Sequence, residues 1–295
     1  MQHNVLRRLR TYARTVALCV GAAGVLVVLG GTPSPATGAG EAVPCADCHE
    51  EATASFNGSY HAKAWQGANG CQSCHGTTDQ HLNTEQSKKT IVSFSKDGGR
   101  SAEEMNKQCL GCHQKSANLA MWDMGAHQKN DVACISCHDI HKPRSTVNQP
   151  TVCFTCHRDV RSDANKISHH PIIEGKVKCS DCHNTHGTLA KHMIAADSIN
   201  QLCYKCHAEK RGPWVWEHPP VEENCANCHS PHGSRHEGLL VEKIVNLCQN
   251  CHDDRQHHAS VLGENPKDHY LLKRACIECH HSIHGSASFR RSFTR

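Results

Sequence analysis

Aromatic residues make up only 4% of this 295-residue chain, and apolar residues of all kinds 38%. That is too little large apolar side chain for a conventional core at this length, so something other than protein must fill the interior. Long apolar runs are almost absent as well. The single run, residues 15–30, falls short of the 18 or more residues that usually span a bilayer, which argues against a membrane anchor. It follows Arg7, Arg8, Arg10 and Arg14 and precedes the small-residue stretch ATGAG at 36–40, the order of a secretory signal. Residues 1–40 are therefore expected to be cleaved, and residues 41–295 to form the working domain. An excess of basic charge is missing too. Four of the 32 Lys+Arg and none of the 28 Asp+Glu lie in residues 1–40, so the mature chain is balanced and has no electrostatic basis for binding nucleic acid.

Cysteine, in contrast, is abundant. Of 21 cysteines, Cys19 lies in the leader, and the other 20 all stand in Cys-x-x-Cys pairs followed directly by histidine. The first five groups are Cys45, Cys48 and His49; Cys71, Cys74 and His75; Cys109, Cys112 and His113; Cys134, Cys137 and His138; and Cys153, Cys156 and His157. The second five are Cys179, Cys182 and His183; Cys203, Cys206 and His207; Cys225, Cys228 and His229; Cys248, Cys251 and His252; and Cys276, Cys279 and His280.

This spacing is the signature of covalent c-type haem attachment. Two thiols three residues apart on one turn reach the two vinyl groups on one edge of a porphyrin, and the next residue places its imidazole under the iron. A disulfide framework would not need histidine after every pair. A zinc site would spend two such pairs on one metal, and a thioredoxin-like motif would occur once. Ten c-type haems, at roughly 26 residues each, must themselves be the core.

Seventeen of the 27 histidines lie outside these groups, and setting aside His3 leaves sixteen candidates for the distal side of ten irons. Their placement is periodic. The chain parses into five two-haem repeats, each reading CxxCH, spacer, histidine, spacer, CxxCH and a further histidine a few residues on. The first repeat carries His61 and His81, the second His127 and His141, the third His169 or His170 with His186, and the fourth His218 and His232. The fifth carries His284 and one earlier histidine. In CHDIH, CHNTH and CHSPH the late histidine stands three residues past a proximal one, so it is expected to cross to another haem. His192, His236, His257 and His281 have no repeat equivalents and read as solvated. Met105, Met121, Met124 and Met193 read as packing, because histidines suffice. Residues 87–100 read as an exposed loop.

The segments CHAEKRG, WEHPPVEENCANCHSPHGS and KCSDCHNTHG resemble the decahaem periplasmic cytochromes of the MtrA, DmsE and PioA type, over residues 45–285. The resemblance implies bis-histidine ligation of all ten irons. It also implies a location in the periplasm at the outer membrane, partly inside a β-barrel porin. The implied partners are that porin, an outer-surface multihaem cytochrome or terminal reductase, and periplasmic or inner-membrane electron-transfer proteins. The family places a histidine directly before proline in the third repeat, which favours His170. In the fifth repeat, spacing to Cys276 favours His269, whereas the family's HAS segment matches His258, and His258 is taken. The stretch 41–45 ahead of the first motif is short beside longer-tailed members.

The expected fold is a multihaem cytochrome c with little β structure, in which short α-helices and irregular loops wrap a linear array of ten haems. Iron closed by two histidines exchanges electrons but has no vacant position for a substrate. The expected function is non-enzymatic electron conduction between the periplasm and the cell exterior. The alternatives are a freely diffusing periplasmic shuttle and a reductase with one open haem.

Overall fold

In the computed structural model of the chain, residues 45–64, 69–84, 88–142, 147–252, 275–278 and 280–288 are described, all within the unit Val43–Arg295. Cys279, His258 and His269 lie outside them. No helix among the described residues is long and apolar enough to cross a membrane.

The elementary unit is the motif itself. In eight of the ten groups the backbone N–H of the motif histidine donates to the carbonyl of the first cysteine at 2.8–3.0 Å, from His49 to Cys45 through His280 to Cys276. In the other two, the helices Asn69–His75 and Ala102–His113 run through the whole motif. A closed turn of this kind brings the two thiols and the imidazole to one side. Most helices stop there or soon after. The longest described, Ala102–His113, starts from a capping box, in which the Ser101 hydroxyl accepts from the Glu104 N–H at 3.2 Å and the Glu104 carboxylate accepts from the Ser101 N–H at 2.8 Å.

Extended structure among the described residues is limited to four isolated bridges. His183 pairs with Ile194 and His229 with Leu240, while Ser168 pairs with Ser234 and Trp216 with Ser286. The first two close a loop behind the second motif of the third and fourth repeats in the same register. The other two tie each of those repeats to the next one. The fold is therefore mostly short helices and loops, repeated, without a sheet among the described residues.

Few of the described residues are buried. Among them, the buried apolar residues are Trp122, Ala133, Ala164, Ile172 and Ile194, matched by the buried polar residues Ser59, Ser93, Asn106, Asn200, Ser234 and Ser286. Instead of a side-chain core there is a cavity of about 4160 Å³, lined by attachment-motif residues from Cys45 to His252 and by further histidines as far as His284.

One expectation is corrected. The stretch 87–100 is not simply an exposed loop: Val92 exchanges two hydrogen bonds with His75, through its N–H at 2.9 Å and its carbonyl at 2.8 Å. Ser93 is buried, and the Phe94 ring stands edge-on to His75 at 5.5 Å. The apolar residues inside the Lys-rich run serve to back the second motif.

Candidate haem-attachment site

The histidines meet in pairs across the cavity, one from a motif and one from outside it. His49 faces His81 with ring centroids 6.3 Å apart, His75 faces His141 at 6.2 Å, and His113 faces His61 at 6.0 Å. His138 faces His186 at 6.0 Å, His157 faces His127 at 6.1 Å, and His183 faces His232 at 6.0 Å. His207 faces His170 at 6.3 Å, His229 faces His284 at 6.0 Å, and His252 faces His218 at 6.1 Å. A metal held by imidazole nitrogens at about 2.0–2.1 Å on either side would set the centroids about 6.3 Å apart, so the donor set fits one iron between each pair.

The pairing follows a rule. Each spacer histidine (His61, His127, His170, His218) faces the first motif of the next repeat. Each late histidine from the second repeat onward (His141, His186, His232, His284) faces the second motif of the preceding repeat. His81, with no preceding repeat, turns back on His49. The tenth motif histidine, His280, belongs with the fifth repeat, whose spacer histidine lies outside the described residues.

Local hydrogen bonds prepare these rings. The Nδ1–H of His75, His183 and His229 donates to the carbonyls of Val92, His192 and Gly238 at 2.8, 2.9 and 2.7 Å. That of His127 donates to Thr185 at 3.0 Å, and that of His170 to Pro231 at 2.7 Å. A ring whose Nδ1 carries the proton keeps its Nε2 lone pair for a metal, and the donated bond raises its basicity. Burial lowers the pKa of His61, His75, His186, His218, His232 and His284, which holds them in the neutral, ligating form.

The structure also separates the two neighbours in the third repeat. His170 faces His207, whereas His169 bonds the Glu174 carboxylate at 3.1 Å and the Lys166 carbonyl at 2.5 Å. Met193 packs: its sulfur accepts from the Ala126 N–H at 3.4 Å, joining the second and third repeats.

The thiols add an order along the chain. Within each repeat the first cysteines of the two motifs lie close enough to perturb one another: Cys45 and Cys71, Cys109 and Cys134, Cys153 and Cys179, Cys203 and Cys225, and Cys248 and Cys276. Burial and the neighbouring Cys225 push the Cys203 thiol up to about 12. Between repeats the second cysteine comes near the next motif, Cys74 to Cys109 and Cys112, Cys137 to Cys156, Cys182 to Cys206 and Cys228 to Cys251. Successive motifs are thus neighbours in space in the order of the sequence.

None of the described cysteines is in a disulfide, and no three His, Cys, Asp or Glu side chains among the described residues converge as a zinc site requires.

Two families match the chain. The doubled CXXCH motif matches residues 169–212 and 218–257, and the NrfB-like c-type cytochromes match residues 71–149. Multiheme cytochrome MtrA of Shewanella baltica is 37% identical over 227 residues, covering 73% of this chain and 67% of that protein. The chain belongs to the MtrA-like multihaem c-type cytochromes. Its motifs accordingly attach several haems covalently, and its work is electron transfer. Cytochrome c-type protein NrfB of Escherichia coli is 29% identical over 133 residues, 41% of this chain and 68% of that protein.

Sequence reasoning passed over three residues of this cytochrome. Asn106 and Asn200, three residues ahead of Cys109 and Cys203, are buried and bonded to the second motif of their repeats. Gln149 does the same at the surface, to the backbone N–H and hydroxyl of Ser180 at 3.0 and 3.1 Å. The signal was an Asn-x-x-Cys-x-x-Cys-His spacing that occurs twice.

Proposed function

We propose that this cytochrome holds ten haems, each iron closed by two histidines, and conducts electrons between the periplasm and the cell exterior from within an outer-membrane porin. The observation that carries the reading is the set of nine ring pairs at 6.0–6.3 Å, each joining a motif histidine to a histidine of the repeat pattern. Each pair would hold an iron from both sides, which would permit electron exchange and leave no site for substrate. The tenth, on His280, takes its second ligand from the spacer of its own repeat, mirroring His81 at the other end, and His258 is the candidate. Residues 1–40 direct export and are removed, placing the rest in the periplasm. The contact of successive motifs in sequence order supports a single line of redox centres, as a conduit needs. The similarity to MtrA supports a porin and further electron-transfer proteins as its partners.

Intact mass and carbon monoxide test the haem sites. The processed chain should carry ten haem masses, and the reduced protein should keep an unaltered low-spin spectrum under the gas. Carbon monoxide binding by the wild type would instead indicate an open haem and a reductase. Proteoliposomes test the path: the protein with its porin should pass electrons from an impermeant external reductant to an enclosed dye. Equal transfer without the porin, or none with it, would reject the conduit and favour the free shuttle.

A further inference from the structure

Asn106 lies in the helix Ala102–His113, one turn ahead of Cys109, so the two side chains share a helix face. It is 6% exposed and uses both ends of its amide. Its Nδ2 donates to the Val132 carbonyl at 3.1 Å, and its Oδ1 accepts from the Cys134 N–H at 2.7 Å, 28 residues further along the chain. Asn200 repeats the arrangement two repeats later. It is 7% exposed, sits one turn ahead of Cys203 in the helix Ile199–Cys203, and donates to Val221 and Glu222 at 2.8 and 2.9 Å. Its Oδ1 accepts from the Cys225 N–H at 2.7 Å. Each amide therefore grips the backbone at the first cysteine of the second motif while standing beside the first cysteine of the first motif. In both repeats those two cysteines lie close together. A buried amide with both functions satisfied is costly to disturb, because either half left open keeps its full desolvation penalty.

We infer that Asn106 and Asn200 are positioning residues for electron transfer, each locking the two attachment motifs of its repeat and so holding the spacing of the two haems those motifs would carry. The inference rests on the proposed function. The step it governs is a single-electron exchange: the ferrous iron of one motif is oxidised, the ferric iron of the other is reduced, and no bond or proton moves. The gap between neighbouring porphyrin edges sets the rate of that exchange. A clamp on the backbone at Cys134 or Cys225, set one turn ahead of Cys109 or Cys203, would hold this gap without touching either iron.

The test uses the full-length holoprotein with N106A, N200A and S101A. The last removes the cap of the helix that carries Asn106 and leaves the clamp in place. All three should carry ten haem masses and an unaltered low-spin spectrum under carbon monoxide, because no cysteine or histidine is changed. N106A and N200A should each lose part of the bisignate Soret circular dichroism that adjacent porphyrins produce. They should also slow the redistribution of an electron injected by a flash-reduced dye, and exchange the Cys134 or Cys225 amide hydrogen faster. S101A should do none of these. An unchanged couplet and unchanged redistribution in both asparagine variants, or an equal loss in S101A, overturns the inference. If N106A yields no holoprotein, N200A decides by itself. A wild type with fewer than ten haems or with an open iron would fail the proposed function instead, and that result is read before any variant is made.

Discussion

Replacing His232 with alanine should open one iron, and the iron concerned should be the one attached two motifs earlier in the chain. The His232 ring faces His183 at 6.0 Å, while its own motif histidine, His229, faces His284 at the same separation. The backbone that carries His232 is held independently of the ring. Ser234 and Ser168 exchange two backbone hydrogen bonds at 2.7 and 3.1 Å, and the Pro231 carbonyl accepts from His170 at 2.7 Å. Truncating the side chain therefore removes one ligand and leaves the loop in place. One centre in ten changes spin state, so about one tenth of the Soret intensity should shift and about one carbon monoxide should bind per reduced chain. Position is read by combining H232A with loss of one attachment site. With C179A and C182A the new high-spin signal should vanish, because the opened haem is gone, whereas with C225A and C228A it should persist. The reverse pattern, or no high-spin signal from H232A alone, would refute the pairing of late histidines with the preceding repeat.

Three further outcomes are expected. Gly233 has φ +157°, and a Cβ there would run into the Asp163 carbonyl, so G233A should lower stability by about 1–3 kcal/mol in denaturant melts. S101A removes a helix cap and should cost about 1 kcal/mol in the same assay, with haem content unchanged. The Glu174 carboxylate raises the pKa of His169, and His169 lowers that of Glu174. The attraction is therefore present between the two, and is lost as pH rises through the folded pKa of His169 or falls through that of Glu174. Glu174 is exposed and His169 only half-buried, so the effect on stability is small, but the ring titration of His169 followed by NMR should move down in E174Q. An unmoved midpoint would contradict the ion pair.

The cofactor, the family and the repeat plan were all legible in the sequence, and for one reason. Covalent attachment is local chemistry: two cysteines and a histidine within five consecutive residues already form the turn that a porphyrin edge requires, whatever surrounds them. The absence of large apolar side chains was equally readable, because it is a property of composition, and the structure answers it with a cavity in place of a side-chain core. The tertiary structure alone decided how these units are joined. Whether His141 faces His75 or its own neighbour His138, and why His170 points across the cavity while His169 turns to Glu174, depends on chain segments tens of residues apart. The backing of His75 by Val92 and Phe94 was lost in a lysine-rich stretch, and the grip of Asn106 on Cys134 left only an asparagine at a fixed spacing ahead of its motif. Spacing along a helix specifies what one turn can hold. Which turns face each other is set by long-range hydrogen bonds and by the close approach of backbones at residues such as Gly187 and Gly233, and these exist only once the chain has folded.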